Sequence, residues 1–146
     1  MKEDKTNAMR LLDLAKIDYQ VHIRETAKLD PNRIFKTLVT QGKTGSYYVF
    51  MLPINQNLDL KKAAKVTKEK SVRMIKEKDL LPLTGYVHGG CSPIGMKKEF
   101  DTFIDDSAIL FETIIFSAGK RGCSIEMNIK DLQKMLPVHV VNIIVL

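Results

Sequence analysis

The chain has 146 residues, of which 45% are hydrophobic and 27% charged, and its formal net charge is +6 at pH 7. These values fit a single domain over residues 1–146 and exclude a disordered, collagenous or two-domain chain. No apolar run is long enough to cross a bilayer and the N-terminus does not read as a secretory leader, so we expect a cytoplasmic protein without membrane contact.

The first half of the chain is predicted to form a helix, a strand and a hairpin. Apolar residues at helical spacing predict a helix over 6–15, in which Thr6 is placed to cap the N-terminus. Alternating apolar and polar residues predict a strand over 19–23. Two further strands, over 34–40 and 47–54, flank a glycine-containing turn and form the predicted hairpin.

The second half is predicted to alternate strands with short helices. Asp59 is placed to cap one helix, and Asp106 or Ser107 to cap another. Asn128 caps a last helix that ends near Met135. The predicted strands lie at 71–75, 102–105, 114–117, 123–127 and 138–146, and a glycine-rich stretch covers 84–95.

This order of elements predicts the α/β (α+β) class. Two hairpins supply antiparallel strand pairs, while helices between other strands allow parallel ones. We therefore expect one mixed, largely antiparallel sheet with helices packed on it.

Positive charge is concentrated in one stretch. Residues 61–78 hold eight basic side chains and two acidic ones. Such a stretch is typical of a surface that binds a polyanion such as a nucleic acid. A solvated lysine-rich helix face is the structural alternative.

Lys36 is the first candidate site residue. In the predicted strand it shares one face with Ile34 and Leu38, and the other face is also largely apolar. A lysine in this setting is partly buried or lines a cleft, where burial favours its neutral form. The alternative is an edge-strand lysine that prevents aggregation.

Two glycine-containing segments are the other candidates. The loop 89–95 can offer backbone N–H groups to an anion or a developing oxyanion, and Lys97 and Lys98 follow it directly. Ser117 ends an apolar strand beside the small residues of 118–122. Either segment can instead serve chain geometry alone.

Several catalytic motifs are absent from the sequence. Gly42-Lys43-Thr44 resembles the end of a P-loop, but Thr37 stands where its first glycine is required. The three histidines and two cysteines lack metal-ligand spacing, so no metal is expected. A Cys91 nucleophile with His88 as base ranks below a plain loop cysteine.

Four ordered segments carry a family resemblance. They are Phe35-Lys36-Thr37-Leu38, Leu58-Asp59-Leu60-Lys61-Lys62-Ala63-Ala64, the stretch from Thr84-Gly85-Tyr86-Val87 through Gly89-Gly90-Cys91-Ser92-Pro93-Ile94-Gly95-Met96-Lys97-Lys98, and Ser117-Ala118-Gly119-Lys120-Arg121-Gly122. Together they resemble the YbaK family of Cys-tRNA(Pro) deacylases, which are relatives of the editing domain inserted in prolyl-tRNA synthetases.

The resemblance implies a free-standing enzyme that removes cysteine mischarged on tRNA(Pro), with Cys-tRNA(Cys) as a second candidate substrate. In such enzymes the thiol of the substrate attacks its own carbonyl, so neither a protein nucleophile nor a cofactor is implied. The implied partners are the tRNA(Pro) acceptor end and prolyl-tRNA synthetase, and a monomer is favoured. The implied catalytic residue is Lys36, the implied substrate-binding residues are Thr37, Gly89, Gly90, Ser117 and Gly119, and the implied tRNA-binding residues are Lys61, Lys62, Lys65, Lys97 and Lys98.

The sequence departs from the family pattern between its first two strands. The connection 24–33 is shorter than the family's, which carries an extra helix over the amino-acid pocket. Arg24 stands at an aromatic position of some relatives and Ser124 at an acidic one. A silent tRNA-binding module, an editing enzyme for Ala-tRNA(Pro), and a Ser-Lys hydrolase that uses Ser92 or Ser117 remain as alternatives.

Overall fold

The computed structural model describes residues 5–24 and 26–146, without the side chain of Thr26. None of the helices within these residues is long and apolar enough to cross a membrane. The helices are α1 (Asn7–Leu14), α2 (Leu60–Thr67), α3 (Glu77–Thr84) and α4 (Ile129–Met135). The strands are β1 (Gln20–Ile23), β2 (Phe35–Gly42), β3 (Tyr47–Pro53), β4 (Val72–Met74), β5 (Asp101–Asp105), β6 (Ile114–Lys120), β7 (Cys123–Met127) and β8 (Val138–Val141).

The strands form two sheets rather than the one that was expected. A three-stranded antiparallel sheet has the order β1-β7-β6, and a five-stranded sheet has the order β4-β2-β3-β5-β8. In the larger sheet β5 pairs in parallel with both β3 and β8, whereas β2 pairs antiparallel with β3 and β4. The predicted mixed, largely antiparallel α+β architecture is confirmed, but its strands are divided between two layers.

Both predicted hairpins are present. The β2–β3 pair runs from Phe35 opposite Pro53 to Gln41 opposite Tyr47. β2 continues two residues beyond its predicted end because β4 pairs with its last three residues. The β6–β7 pair contains a bulge between Ser117 and Lys120.

Helix α3 was not predicted from the sequence. It contains Pro82, and its N-cap residue, Lys76, makes no side-chain capping bond. Both features disfavour a helix in a sequence-based reading. Leu80 and Thr84 are nevertheless buried, and Gly85 ends the helix in the left-handed conformation with φ of +87°. Tertiary packing of Leu80 therefore outweighs the weak local signals.

The core has layers on both faces of the five-stranded sheet. On one face, Phe35 joins Phe116 of the small sheet together with Leu12 of α1 and Leu132 of α4. On the other face, α2 packs Ala63 and Ala64 against Phe50 and Leu52. A third cluster places Leu80 of α3 and Cys91 of the glycine-rich loop against Val39 and Val49. The glycine-rich loop is thereby held near β2.

The predicted cap at Asp106 or Ser107 is wrong, because Asp105 performs that role. Its carboxylate accepts a hydrogen bond from the backbone N–H of Ser107 at 3.2 Å, as a helix N-cap does. The second carboxylate oxygen accepts from the backbone N–H of Ile143, also at 3.2 Å. Asp105 is fully buried, so one side chain both caps the 3₁₀ turn 106–110 and anchors the C-terminal segment.

The apolar tail forms a shorter strand than the predicted 138–146. Only Val138–Val141 pairs with β5, although Ile143 is fully buried beyond it. Leu146 is fully exposed. After the strand ends, the hydrogen bond to Asp105 and the packing of Ile143 against Phe50 and Leu52 hold this segment in the core.

Replacing Asp105 by Ala should lower the free energy of unfolding by about 2–3 kcal/mol, because it leaves the buried Ile143 N–H without an acceptor and removes an N-cap. Asp106→Ala, at the exposed neighbouring position, should change it by less than about 0.5 kcal/mol. Urea denaturation midpoints of the two variants check this. Equal midpoints would contradict the role assigned to Asp105.

Candidate active site between the two sheets

A cavity of about 420 Å³ lies where the two sheets meet the glycine-rich loop. This volume falls within the range of small-ligand sites. Of the residues predicted from the sequence, Lys36, Thr37, Gly89 and Ser117 line it. The remaining lining residues are Ile34, Phe35, Leu38, Ile54, Leu80, His88, Cys91, Phe116, Gly122, Cys123 and Ser124.

The cavity follows the part of β2 that β4 leaves uncovered. The backbone N–H of Gly42 points toward β3 and donates to the carbonyl of Ser46. The carbonyl of Val39 points to the opposite edge of β2, where it accepts from the backbone N–H of Ile75, the residue after β4. Along β2, the backbone N–H and C=O groups of successive residues point alternately toward β3 and toward the opposite edge. Thr37, two residues before Val39, therefore directs its backbone N–H and C=O to the open edge. β4 pairs only with the far end of β2, so this edge is available to a ligand.

Lys36 carries a charge into largely apolar surroundings. Its side chain is partly buried, and its Nζ makes one long contact of 3.5 Å, with the backbone carbonyl of Ile54. Burial lowers the pKa of Lys36 below its usual value. No described carboxylate forms an ion pair with it. A partly buried ammonium without a counter-ion is a candidate for binding an anionic substrate group.

Thr37 offers an unused hydroxyl next to this lysine. Its Oγ1 is buried and makes no hydrogen bond to any described residue. Buried polar atoms are nearly always satisfied in folded proteins, so an exception needs an explanation. Because Thr37 lines the cavity, a bound ligand can supply the missing partner.

The two adjacent glycines of the loop have different surroundings. Gly89 lines the cavity with φ of +83°, a conformation that favours glycine. Gly90 lies outside the lining, and a Cβ there would come within 3.0–3.1 Å of the backbone of Lys120 and Arg121. The loop is also held by a 2.8 Å hydrogen bond from Arg121 Nε to the carbonyl of His88. Gly90 thus has a packing role that sets the position of Gly89.

Ser117 and Gly119 lie on the facing strand, at the bulge of β6. Ser117 lines the cavity, and its Oγ accepts from the N–H of Gly119 at 3.1 Å. Gly119 has φ of +108°, and a Cβ there would lie 2.8 Å from Cε1 of Tyr86. Gly119 is therefore required for the close approach of Tyr86, and its predicted contact with substrate stays a prediction.

The other candidate nucleophiles are not arranged for attack. Burial raises the pKa of Cys91 to about 12, although a hydrogen bond with Thr84 partly offsets the effect. Ser92 is fully buried, and its Oγ accepts from the N–H of Ile94. In the described part of the chain, no hydrogen bond joins Lys36 to either Ser92 or Ser117, so the Ser-Lys pair is not formed here.

The predicted tRNA-binding lysines lie apart from the cavity lining. Lys61 and Lys65 are exposed on α2. Lys62 is held by the Asn142 side chain at 3.0 Å and the Ile144 carbonyl at 2.9 Å, so it anchors the C-terminal segment. Lys97 and Lys98 are exposed beyond the glycine-rich loop.

Sequence reasoning missed several of the lining residues. Leu80 belongs to the helix that was not predicted, while Phe116 and Cys123 read only as core positions of strands. Their alternation marks them as facing inward, but it carries no information about which of them lies beside an opening. The sequence signal that could have found this helix is Gly85, because a glycine often ends a helix in the left-handed conformation that Gly85 adopts.

Comparison with known proteins identifies the family. A family model described as the aminoacyl-tRNA editing domain matches residues 21–135. A protein of Enterococcus faecalis (strain ATCC 700802 / V583), provisionally named Cys-tRNA(Pro)/Cys-tRNA(Cys) deacylase EbsC, is 44% identical over 138 residues and is matched over 84% of its length by 86% of this chain. The uncharacterised protein YwhH of Bacillus subtilis (strain 168) is 27% identical over 110 residues, which cover 75% of this chain and 69% of YwhH.

The fold also matches a solved structure. A crystal structure assigned provisionally to a trans-editing enzyme for prolyl-tRNA synthetase superposes with a TM-score of 0.82 at 18% identity, over 97% of this chain and 99% of the other. The chain belongs to the aminoacyl-tRNA editing domain family. This membership confirms the resemblance seen in the four motifs and the expected class of protein, an aminoacyl-tRNA deacylase.

The raised pKa of Cys91 predicts a slow reaction with alkylating reagents. With a pKa of about 12, about one thiol in ten thousand is ionised at pH 8, and the thiolate is the reactive form. Iodoacetamide should therefore leave Cys91 unmodified for hours in the native protein and label it within minutes in guanidinium chloride, as read by mass spectrometry of peptides. Rapid native labelling would indicate an activated thiol instead.

Proposed function

We propose that residues 1–146 form one editing domain that acts in trans to remove cysteine from mischarged tRNA(Pro). The observation that carries this proposal is the content of the cavity. Among the residues that the structure describes, it holds an ammonium without a counter-ion, a hydroxyl without a partner and a glycine-rich wall, but no activated nucleophile. Such a site can bind and orient an ester whose nucleophile is already attached to it. The name of the Enterococcus relative supports the choice of substrate.

The reaction proposed for this site uses the substrate thiol. The cysteine sulfur attacks the ester carbonyl, a carbon–sulfur bond forms and the carbon–oxygen bond to the terminal ribose breaks. The thiol proton leaves with the ribose oxygen, and water then opens the resulting thiolactone to free cysteine. No protein atom becomes covalently bonded, which agrees with the buried, protonated Cys91.

Some lining residues bind the terminal nucleotide, and others position the aminoacyl group. The Lys36 ammonium binds a phosphate oxygen of the terminal nucleotide, where the apolar surroundings strengthen the attraction. The Thr37 hydroxyl supplies a hydrogen bond to the substrate. The backbone at Gly89 and the side chain of Ser117 face the same space and hold the aminoacyl group for attack. Lys61 and Lys65 of α2, together with Lys97 and Lys98, attract the acceptor stem over a longer range.

Lys36→Met should lower cysteine release from Cys-tRNA(Pro) by at least about a hundredfold, with no metal added, because it removes the cation from the cavity. Lys36→Arg is the matched control and should retain part of the activity. Ala-tRNA(Pro), which has no thiol, should be cleaved at least about a hundredfold more slowly than Cys-tRNA(Pro). Full activity of Lys36→Met would refute its role, and equal release of alanine would refute the thiol route.

The same substitution should not destabilise the protein. Burial lowers the pKa of Lys36 in the folded state, so the charged form is disfavoured there relative to the unfolded chain. The charge of Lys36 therefore lowers the free energy of unfolding. This effect is fully present at pH values below the lowered pKa of the folded state and disappears as the pH rises to the pKa of the unfolded chain. At pH 7 Lys36→Met removes it, and thermal melts should show a Tm equal to or above that of the wild type. A clear loss of Tm would indicate a structural lysine.

Thr37→Val should likewise lower the activity without lowering the stability of the protein. It removes a hydroxyl that has no partner in the folded protein, so the melting temperature should not fall. The value of kcat/KM for Cys-tRNA(Pro) should fall about tenfold, the effect of one lost hydrogen bond. Thr37→Ser retains the hydroxyl and should keep most of the activity. Wild-type kinetics for Thr37→Val would show that substrate does not use this group.

A further inference from the structure

A second depression, of about 460 Å³, lies beside the cavity at the end of the β6–β7 hairpin. It is lined by Ile23, Arg24, Lys120, Arg121, Gly122 and Cys123. Three of these six residues are cationic, and none of these described lining residues is acidic. We call Arg24, Lys120 and Arg121 the basic corner.

The basic corner shares a wall with the candidate active site. Gly122 and Cys123 line both spaces, so the depression opens next to the cavity. Arg121 donates from Nε to the carbonyl of His88, which precedes the cavity-lining Gly89. A chain that enters the cavity can therefore continue along the hairpin end without leaving positively charged surface.

Within the described residues, the side chains of Arg24 and Lys120 make no hydrogen bond, and Arg121 uses only its Nε, on the His88 carbonyl. All three residues are exposed, and within the described chain none of them forms an ion pair. The backbone N–H of Arg24 donates to the carbonyl of Gly122 at 2.8 Å, which holds Arg24 beside the hairpin. The fork of each arginine side chain suits a phosphate group.

The lysines of α2 are less well placed for the same task. Ala63 and Ala64 pack α2 on the sheet face that contains Phe50 and Leu52, and no α2 residue lines the cavity. Lys62 is in addition committed to the C-terminal segment. The basic corner can therefore contact a ligand at the mouth of the cavity, whereas the lysines of α2 can attract that ligand only from a distance.

We propose that the basic corner binds the backbone phosphates of the single-stranded 3′ end of tRNA. This inference rests on the proposed function, because it takes the cavity as the place of the terminal aminoacyl group. Phosphates carry no sequence information, so the corner contributes affinity and register and leaves the choice of tRNA to other contacts. The α2 lysines then contribute only when the double-stranded stem is present.

The test is a binding measurement that needs no catalysis. The probe is a fluorescein-labelled ACCA ribotetranucleotide with a free 3′ hydroxyl, titrated with the full chain and followed by anisotropy at several salt concentrations. The variant is Arg24→Gln with Lys120→Gln, which keeps Arg121 and its bond to His88. The matched control, Lys61→Gln with Lys65→Gln, removes two positive charges from α2.

We expect the corner variant to raise the Kd for the tetranucleotide at least about fivefold and to reduce the slope of log Kd against log salt by about 1.4, the value for two lost phosphate contacts on a single strand. The α2 control should keep the wild-type Kd for this probe and lose affinity only for whole tRNA. Equal loss in both variants, wild-type affinity in the corner variant, or no measurable binding by the wild type would overturn the inference. The probe carries no ester, so its binding does not depend on catalysis. If the protein binds the probe but does not deacylate Cys-tRNA(Pro), the proposed function is refuted while the phosphate-binding role of the basic corner stands.

Discussion

The site depends on the incomplete pairing of β2. β3 covers the whole of one edge of this strand, but β4 covers only the last three residues of the other edge. Backbone groups of a strand must find partners, and here the small sheet approaches without continuing the ladder. Among the described residues, the bridge between the small sheet and this edge joins Ile115 to Ile34, the residue just before β2. The space between that bridge and β4 is the cavity, and Lys36 and Thr37 lie on the strand that borders it.

The polar groups of the cavity are costly to the folded protein, and this cost suggests their use. The pKa of Lys36 is lowered because burial disfavours its charge, and the buried Thr37 hydroxyl has no partner among the described residues. A core selected for stability alone would contain neither group. Among the described residues, the hydroxyl of Ser107 is the other buried side-chain atom without a partner, whereas the buried carboxylate of Asp105 accepts from the backbone N–H groups of both Ser107 and Ile143. The Thr37 hydroxyl differs from the Ser107 hydroxyl in lining the cavity, where a ligand can reach it.

The glycine-rich loop and the β6–β7 hairpin hold each other in position. Gly90 allows close contact with the backbone of Lys120 and Arg121, and Gly119 allows the approach of Tyr86. Arg121 then binds the carbonyl of His88. Two segments that are far apart in the chain form one wall because each contact has a glycine on one side, where a Cβ would clash with the partner. This mutual packing connects the candidate active site to the basic corner.

The sequence by itself determined the hairpins, the capped helices α1, α2 and α4, and the four motifs that identify the family, because these depend on local periodicity, capping residues and the identity of short segments. It also marked Lys36 as a charge on an apolar strand. Only the tertiary structure decided that the strands divide into two sheets, that Pro82 lies within a helix, and that Asp105 rather than Asp106 is the cap. It also separated Gly89, which lines the cavity, from Gly90, which packs against the hairpin. These outcomes depend on contacts between residues distant in sequence, and local patterns carry no information about which distant segments meet.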